Sequence, residues 1–366
     1  MGMIFYILMA IFGCWPLVAK AIWRETYTWG EVGIQLGGGF AVVFLGWHFG
    51  IYSQVARTEI WNGEITGKEQ VWVSCSHSYQ CNCRQVTRGT GKDATTTTEC
   101  DTCYEHHFDY DWEVYTSVGN FEIPRIDRQG VFTPPRWAKV QKGQPAAREH
   151  TYTNYVAASK QSLFNKTAQD FNYLPDVPKY PRVFDYHYAN RVLPVMVALP
   201  DLPLWQTGLA ELLKELGPKK QANITVVIAG TPDQNFRHKV EAAWEGGNKN
   251  DVVVLIGVVP ESLEILWADV ITFGGNIGNE ALAVSLRNTL LEQGTVDRMQ
   301  TLTAIGNHVR DGYNRPQMKD FEYLKHQIEP TTLFQVMFGI LLVALNIGVT
   351  IFFHRNDWHA LRRNAA

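Results

Sequence analysis

Cysteine residues in the first third of the chain could either bind a metal ion or form disulfides. They are Cys75, Cys81, Cys83, Cys100 and Cys103, in the spacing C-x5-C-x-C-x16-C-x2-C. The last four could place paired thiolates on two turns around one tetrahedral zinc ion. Alternatively, disulfides such as Cys83–Cys100 and Cys81–Cys103 would hold the base of a long hairpin together. We favour disulfides, because these residues are expected outside the cytoplasm, where thiols are normally oxidised. The odd count leaves Cys75 unassigned.

Oxygen-bearing side chains in the last third of the chain form a second candidate site. The candidates are Asn250, Asp251, Asn276, Asn279 and Glu280. Carboxylate and amide oxygens are the ligands that Ca²⁺ or Mg²⁺ prefers. The same residue types are also common at strand starts and helix caps for reasons of turn geometry alone. Glu280, at the start of a predicted helix, would be stabilised by the helix dipole without any ion. A divalent-cation site is therefore one hypothesis beside a purely structural interpretation.

Three histidines near the cysteines could also bind a metal. His77, His106 and His107 lie close to residues 108–118, where apolar and polar residues alternate as in a strand. The acidic residues of that strand would share one face, and we favour a solvated face over a metal site. The sequence contains no G-x-S-x-G, no phosphate-binding glycine loop followed by Lys-Ser/Thr and no H-E-x-x-H. No catalytic residues are therefore assigned.

Apolar segments at both ends of the chain are the elements that must position these residues. Residues 3–22, 31–52 and 332–353 are each long and apolar enough to cross the ~30 Å hydrocarbon layer as a helix. A signal peptide is the alternative for the first segment, but no basic residue precedes it. The second segment contains the run Gly37–Gly39, and small residues allow membrane helices to approach closely. We predict three transmembrane helices.

Basic residues beside these segments predict the orientation. Lys20 and Arg24 lie between the first two segments, and Arg362 and Arg363 lie in the tail, residues 354–366. The positive-inside rule places both regions in the cytoplasm and residues 54–330 on the other side. Basic residues at 315, 319 and 325 weigh against this orientation. The expectation is a multi-pass protein of the cell (inner) membrane with a periplasmic or otherwise extracytoplasmic main domain.

The middle region divides into two modules by its hydrophobic pattern. Residues 55–154 are rich in alternating segments and predict a small β-rich module that carries the cysteines. Its end, residues 143–154, is polar and contains proline, which is typical of a connection. Residues 155–191 are predicted to be a linker. In residues 192–328, apolar runs without polar alternation are separated by amphipathic helices, which indicates a sheet covered on both faces. The predicted class is therefore an α+β membrane protein.

One stretch of this second module resembles the signature of the TPM-domain family. A predicted helix ends in Trp244-Glu245-Gly246-Gly247, followed by Asn248-Lys249-Asn250-Asp251 and an apolar strand. The resemblance covers about residues 195–315 and implies a membrane-anchored αβα sandwich that faces a lumen, periplasm or cell exterior. It also implies that Asp251 is the loop carboxylate that would meet a divalent cation. Val252 departs from the family's usual glycine, and the downstream acidic position has only an approximate counterpart, Asp269 or Glu280.

These features lead to two functional hypotheses. The TPM-domain resemblance implies one of two roles. Some members of that family are described as cation-dependent phosphatases, and others are assembly or accessory factors without clear chemistry. We favour a non-enzymatic binding or assembly factor with the lipid bilayer and another envelope protein as partners, and keep the phosphatase as the alternative. The overall pattern also resembles small envelope proteins encoded by tailed bacteriophages. A net charge of −3 argues against a nucleic-acid partner.

Overall fold

The computed structural model describes residues 3–24, 26–88, 95–159 and 173–355. The tail arginines Arg362 and Arg363, the middle of the predicted linker and the tip of the cysteine hairpin lie outside the described residues. The described chain is a mixed helix and sheet structure with three long apolar helices and two disulfides. The predicted fold class is confirmed at that level.

Helices α1 (Met3–Ile22), α2 (Trp29–Val55) and α10 (Thr332–Arg355) correspond to the three apolar segments. Each is long and apolar enough to span a membrane. Helix α2 begins with a capping box, in which Thr28 accepts from the Glu31 N–H and Glu31 accepts from the Thr28 N–H. The sequence prediction of three such helices is confirmed.

Glycines on α2 allow aromatic side chains of the neighbouring helices to pack against its backbone. A Cβ atom on Gly39 would lie 2.1 Å from the ring of Phe12 on α1, and one on Gly46 would lie 2.1 Å from the ring of Phe338 on α10. Such distances are far below van der Waals contact, so only glycine permits this approach. The neighbouring Gly38 has no such constraint, because a Cβ there would have no atom within 4 Å.

A buried polar network also joins the three helices. The Gln35 amide of α2 donates to the Asn346 carbonyl of α10 at 2.9 Å and to the Thr350 hydroxyl at 3.0 Å. Trp15 of α1 donates its indole N–H to the same hydroxyl at 3.0 Å, and Tyr27 donates to the Gln35 side chain. Polar side chains in an apolar bundle are satisfied by one another, which favours one arrangement of the helices.

The connection between α1 and α2 lies at the same end of the bundle as the end of α10. The hydroxyl of Thr26 in this connection lies 2.9 Å from Nδ1 of His354. Lys20, Arg24 and Arg355 consequently belong to one end of the three-helix bundle.

The first sheet is built on one very long strand. Strand β1 (Ala56–Ser74) follows α2 directly and lies between β4 (Phe108–Thr116) and β6 (Pro145–Thr153), with β5 (Phe121–Ile123) at the edge. The first half of β1 pairs with β6 and its second half with β4, all antiparallel. Residues 143–154 are thus largely a strand, and the expectation of a connection there is wrong. Short helices α3 (Pro135–Lys139) and α4 (Tyr155–Ala158) flank β6.

A two-stranded ribbon projects between β1 and β4. It consists of β2 (Ser78–Arg88) and β3 (Thr95–Tyr104), which pair with each other and with no other strand of the described chain. Both disulfides lie within this ribbon.

The second sheet has the strand order β10-β9-β8-β7. Strands β7 (Val192–Val195), β8 (Asn223–Ala229) and β9 (Asp251–Val258) are parallel, and β10 (Ile265–Thr272) is antiparallel to β9. Every residue of β8 and β9 is buried, as the unbroken apolar runs predict.

Helices cover both faces of this sheet. One face packs against α5 (Leu202–Lys220), α8 (Glu280–Gln293) and α9 (Arg298–Gly312), and the other against α6 (Phe236–Ala243). The four-residue helix α7 (Phe273–Asn276) follows β10. A 3₁₀ helix, Met318–Gln327, precedes α10 and buries Phe321 and Leu324.

The packing of α2 predicts different effects for two alanine substitutions. We expect Gly46→Ala to lower stability by about 1–3 kcal/mol, because the new methyl group displaces the ring of Phe338. Gly38→Ala should leave stability unchanged or raise it, because alanine is the better helix former and nothing lies near. Thermal unfolding of the purified full-length protein in detergent measures both. Equal melting temperatures for the two variants would contradict this packing.

Candidate functional site

Asp251, the carboxylate singled out in the sequence, is enclosed by protein donors. It is the first residue of β9 and only 2% exposed. The Tyr180 hydroxyl lies 2.9 Å from both carboxylate oxygens, the Asn223 amide donates to Oδ1 at 2.9 Å, and the Asn248 N–H donates to Oδ2 at 2.7 Å. Both oxygens of Asp251 are thus used for hydrogen bonds within the protein.

The other predicted oxygen ligands have separate local partners. Asn250 donates to the Ile60 carbonyl at 2.7 Å, and Asp269 lies 3.4 Å from the Arg237 guanidinium. Asn276 accepts from the Thr272 N–H at 2.6 Å and so closes a turn.

Asn279 and Glu280 also have local roles. Asn279 exchanges two hydrogen bonds of 2.8 Å with the backbone of Asn314, and Glu280 accepts from the Gly278 N–H at 3.2 Å. Asp269 pairs opposite Leu255, four residues beyond Asp251 along β9, a separation of roughly 13 Å. The described structure therefore does not bring the predicted cation ligands together, and the cation site stays a prediction.

A fully buried arginine lies close to Asp251. Arg191 donates through Nε to the Asn223 side-chain oxygen at 2.8 Å and through Nη2 to the Asn62 side-chain oxygen. Asn223 thus bridges the positive Arg191 and the negative Asp251. Burial raises the pKa of Asp251 to about 6, even though its hydrogen bonds favour the charged form. Burial also lowers the pKa of Arg191 to about 10.

Glu59 of β1 continues these polar contacts between the two sheets. It is completely buried and accepts from Arg315 at 2.7 Å and from the Trp61 indole at 2.8 Å. Lys249 and His150 each have a nitrogen 3.6 Å from the same oxygen of Glu59.

We call Glu59, Asn62, Arg191, Asn223 and Asp251 the polar seam. It joins β1 to the amino ends of β8 and β9, where Asn223 and Asp251 are partners in register. Ligands of such sheets usually bind at the carboxyl ends of the strands. The polar seam lies at the opposite, amino ends, which is typical of a structural junction between the two sheets rather than of a ligand site.

The cysteines of the ribbon form the pairs that the disulfide hypothesis names. Cys81 pairs with Cys103 and Cys83 with Cys100, at Cα–Cα distances of 5.8 and 4.0 Å. Because all four sulfur atoms are in disulfides, these residues do not supply the thiolates of the alternative zinc site. Cys75 is free and buried.

The free Cys75 lies in a cluster with His77, His106 and Asp109. Its Sγ atom is 3.9 Å from Nδ1 of His77 and 3.8 Å from Nδ1 of His106. The same two nitrogens lie 3.2 Å from the two carboxylate oxygens of Asp109. We call these four residues the Cys-His cluster; their ligand atoms all lie within 4.8 Å of one another.

The burial of Asp109 differs from the solvated strand face expected in the sequence. Its side chain is 0% exposed, because Arg125 and the two histidines cover it. Arg125 donates to Asp109 at 2.8 Å and to Asp111 at 2.6 Å, and the Ser76 N–H donates to Asp109 at 3.2 Å. Burial acts to raise the pKa of Asp109, but these hydrogen bonds outweigh it and hold the pKa well below its usual range.

Local sequence spacing contained a signal for the Cys-His cluster. His77 follows Cys75 by two residues, and His106 precedes Asp109 by three. What the spacing alone could not give is the pairing of β1 with β4, which places Ser74 opposite Phe108 and so unites the two halves.

Comparisons of the chain with protein-family models, with curated protein sequences and with solved structures found no match. The resemblance to TPM-domain proteins therefore stays a prediction.

The polar seam predicts a specific pH dependence of stability. The pKa of Asp251 is about 6 in the folded protein and near 4 in the unfolded chain, so the folded state binds this proton more tightly. The Asp251 contribution to stability should therefore fall by up to about 3 kcal/mol as the pH rises from about 4 to about 6. Asp251→Asn cannot ionise and should show a flatter curve of melting temperature against pH over this window.

Asp311→Asn, at an exposed position, is the matched control and should follow the wild type. If the melting temperatures of the wild type and Asp251→Asn changed equally with pH, the raised pKa of the buried Asp251 carboxyl would be contradicted. Phosphatase turnover with Mg²⁺ or Ca²⁺ that Asp251→Asn abolishes would likewise contradict a buried carboxylate, since that would give Asp251 a catalytic role.

Proposed function

We propose that this chain is a membrane protein whose ectodomain, residues 56–328, lies outside the cytoplasm and binds another envelope protein as an assembly or accessory factor. The ectodomain is joined to α2 at one end and to α10 at the other, so both of its ends are held at the same surface of the bilayer. The anchored domain would present a fixed face to its partner.

The proposed orientation has two supports. The basic residues Lys20, Arg24 and Arg355 belong to the end of the helix bundle away from the ectodomain, as the positive-inside rule requires for a cytoplasmic end. Two disulfides in the ribbon fit an oxidising compartment, because cytoplasmic thiols are normally kept reduced.

An exposed aromatic patch beside the ribbon is the observation that carries the binding function. It consists of Trp72 on β1 and Phe108 and Tyr110 on β4. Trp72 is 74% exposed and Phe108 is 40% exposed, and their ring centroids are 6.4 Å apart. The Phe108 and Tyr110 rings are 5.4 Å apart. Neighbouring aromatic side chains in water favour burial against a partner, and such residues are enriched at protein interfaces.

Rigid support makes this patch suitable for recognition. Its side chains stand on two paired strands, at the base of a ribbon with two disulfides. A surface that is already ordered loses less conformational entropy when a partner binds.

For residues 192–328 we propose a TPM-like αβα sandwich in an accessory rather than a catalytic role. Helices on both faces of a largely parallel sheet support the sandwich. The burial of Asp251 and its engagement with Tyr180, Asn223 and Asn248 support the accessory role, because a catalytic carboxylate must reach its substrate.

Site-specific crosslinking in intact cells tests the binding function. A photo-crosslinking amino acid at Trp72 should give an adduct with one envelope protein, and Phe108→Ala should weaken that adduct because it removes a neighbouring ring. The matched control is the same crosslinker at Phe132, a position 67% exposed elsewhere on the ectodomain. Adducts of equal yield and identity at both positions, or none at Trp72, would contradict the proposal.

A further inference from the structure

We propose that the Cys-His cluster is a zinc site that fixes the disulfide ribbon onto the first sheet. The four side chains supply one thiolate, two imidazole nitrogens and one carboxylate, a combination that suits Zn²⁺. Ca²⁺ and Mg²⁺ prefer oxygen ligands and would be poorly served by sulfur and nitrogen.

Four distances between the ligand atoms are close to those of a tetrahedral zinc centre. Zinc–nitrogen and zinc–oxygen bonds of about 2.1 Å and a zinc–sulfur bond of about 2.3 Å give tetrahedron edges of roughly 3.4 Å between nitrogen and oxygen and roughly 3.6 Å between nitrogen and sulfur. The corresponding distances are 3.2 Å from each histidine nitrogen to Asp109 and 3.8 and 3.9 Å to Cys75. These four distances lie close to the tetrahedral edges, although each histidine faces a different oxygen of Asp109, and the remaining separations between ligand atoms are at most 4.8 Å.

The contacts converge on one point rather than forming a catalytic relay. When a histidine activates a thiol, one ring nitrogen faces the sulfur and the other faces the orienting carboxylate. Here Nδ1 of His77 faces both Cys75 and Asp109, and Nδ1 of His106 does the same. Two nitrogens, a sulfur and a carboxylate that share one centre are the arrangement of metal ligands.

Charge and supporting hydrogen bonds agree with a bound zinc ion. A Cys75 thiolate and the Asp109 carboxylate balance the two positive charges of Zn²⁺. Arg125 is already shared with Asp111, so the surroundings stay close to neutral. The His77 N–H lies 3.4 Å from the Cys75 sulfur, and the Ser76 N–H donates to Asp109. Such contacts orient metal ligands and support their charge.

The place of the cluster in the fold suggests what the metal would do. Cys75 and His77 connect β1 to the ribbon, His106 connects the ribbon to β4, and Asp109 lies on β4. One ion held by all four would fasten both ends of the ribbon to the sheet, next to Trp72 and Phe108. Four protein ligands are typical of a structural zinc site. The site borders an open depression lined also by Tyr104, Glu105 and His107, which gives the ion a route from solvent.

Metal binding by the full-length protein in detergent tests this assignment. The chain is purified, stripped with a chelator, loaded with Zn²⁺ and analysed for metal content. We expect one zinc per chain and a higher melting temperature. Cys75→Ser and His106→Gln should each weaken zinc binding more than about 100-fold in competition with a chromophoric chelator, because loss of a ligand exceeds the effect of losing a supporting residue. His107→Gln is the matched control and should bind as the wild type does.

Cobalt gives a readout that does not depend on stability. Co²⁺ added to the stripped wild-type protein should produce the visible bands of a tetrahedral site and a sulfur charge-transfer band, and Cys75→Ser should lose the latter. The proposal is overturned if the wild type binds no stoichiometric zinc, if Cys75→Ser retains the sulfur band, or if Ca²⁺ or Mg²⁺ raises the melting temperature as much as Zn²⁺ does. Because the wild type alone decides the first and third outcomes, a misfolded variant leaves the test intact.

Discussion

The hydrogen bonds that Asn62 makes to the second sheet are the contact on which the rest of the structure depends. Asn62 donates to the Ala222 carbonyl at 3.0 Å and accepts from the buried Arg191. It lies on β1, which continues from the long apolar helix α2 at one end and leads to Cys75 and the ribbon at the other. Helix α5 packs closely against the backbone of Asn62: a Cβ on Gly217 would lie 2.1 Å from the Asn62 carbonyl oxygen. One strand thus connects the bundle of apolar helices, the α/β layer and the ribbon.

The chemistry of this junction explains why it is specific. An isolated buried charge is strongly unfavourable, and Arg191 and Asp251 are tolerated because Asn223 and Tyr180 complete their hydrogen bonds. A shift of β1 by one residue would turn Asn62 away, so the Nη2 group of Arg191 would lose its hydrogen bond to the Asn62 side chain. A polar junction of this kind fixes one register between the sheets, whereas an apolar contact would tolerate several.

The sequence was informative where a structure depends on local pattern. Unbroken apolar runs predicted the three long apolar helices and the buried strands β8 and β9. Strand β6 was missed because only three of its nine residues are buried and they do not alternate with exposed residues. Its place is decided by pairing with β1, about ninety residues earlier. The 3₁₀ form of residues 318–327 was also missed, because its apolar spacing is the same as that of an α-helix.

In the candidate sites, contacts between residues close in the sequence were predictable, and contacts between distant residues were not. The disulfide pairs were predictable, because their cysteines are nested around one hairpin. The role of Cys75 was not, since it depends on Asp109 across a strand pair and on Arg125 from a separate loop. Asp251 was predicted to be a cation ligand, which stays a prediction. Its enclosure could not be predicted, because it depends on Tyr180 and Asn223, which the sequence separates from it by 71 and 28 residues.

The central claim is that apolar helices anchor the chain at both ends and leave the ectodomain outside the cytoplasm. Cysteines introduced at Phe132 and Thr26, in a background with Cys14→Ala and Cys75→Ala, report on it directly when intact cells are treated with a membrane-impermeant maleimide. Phe132→Cys should be labelled in intact cells, and Thr26→Cys only after the membrane is permeabilised. Labelling of Thr26→Cys but not Phe132→Cys in intact cells, or recovery of the full-length chain in the soluble fraction without detergent, would contradict the account.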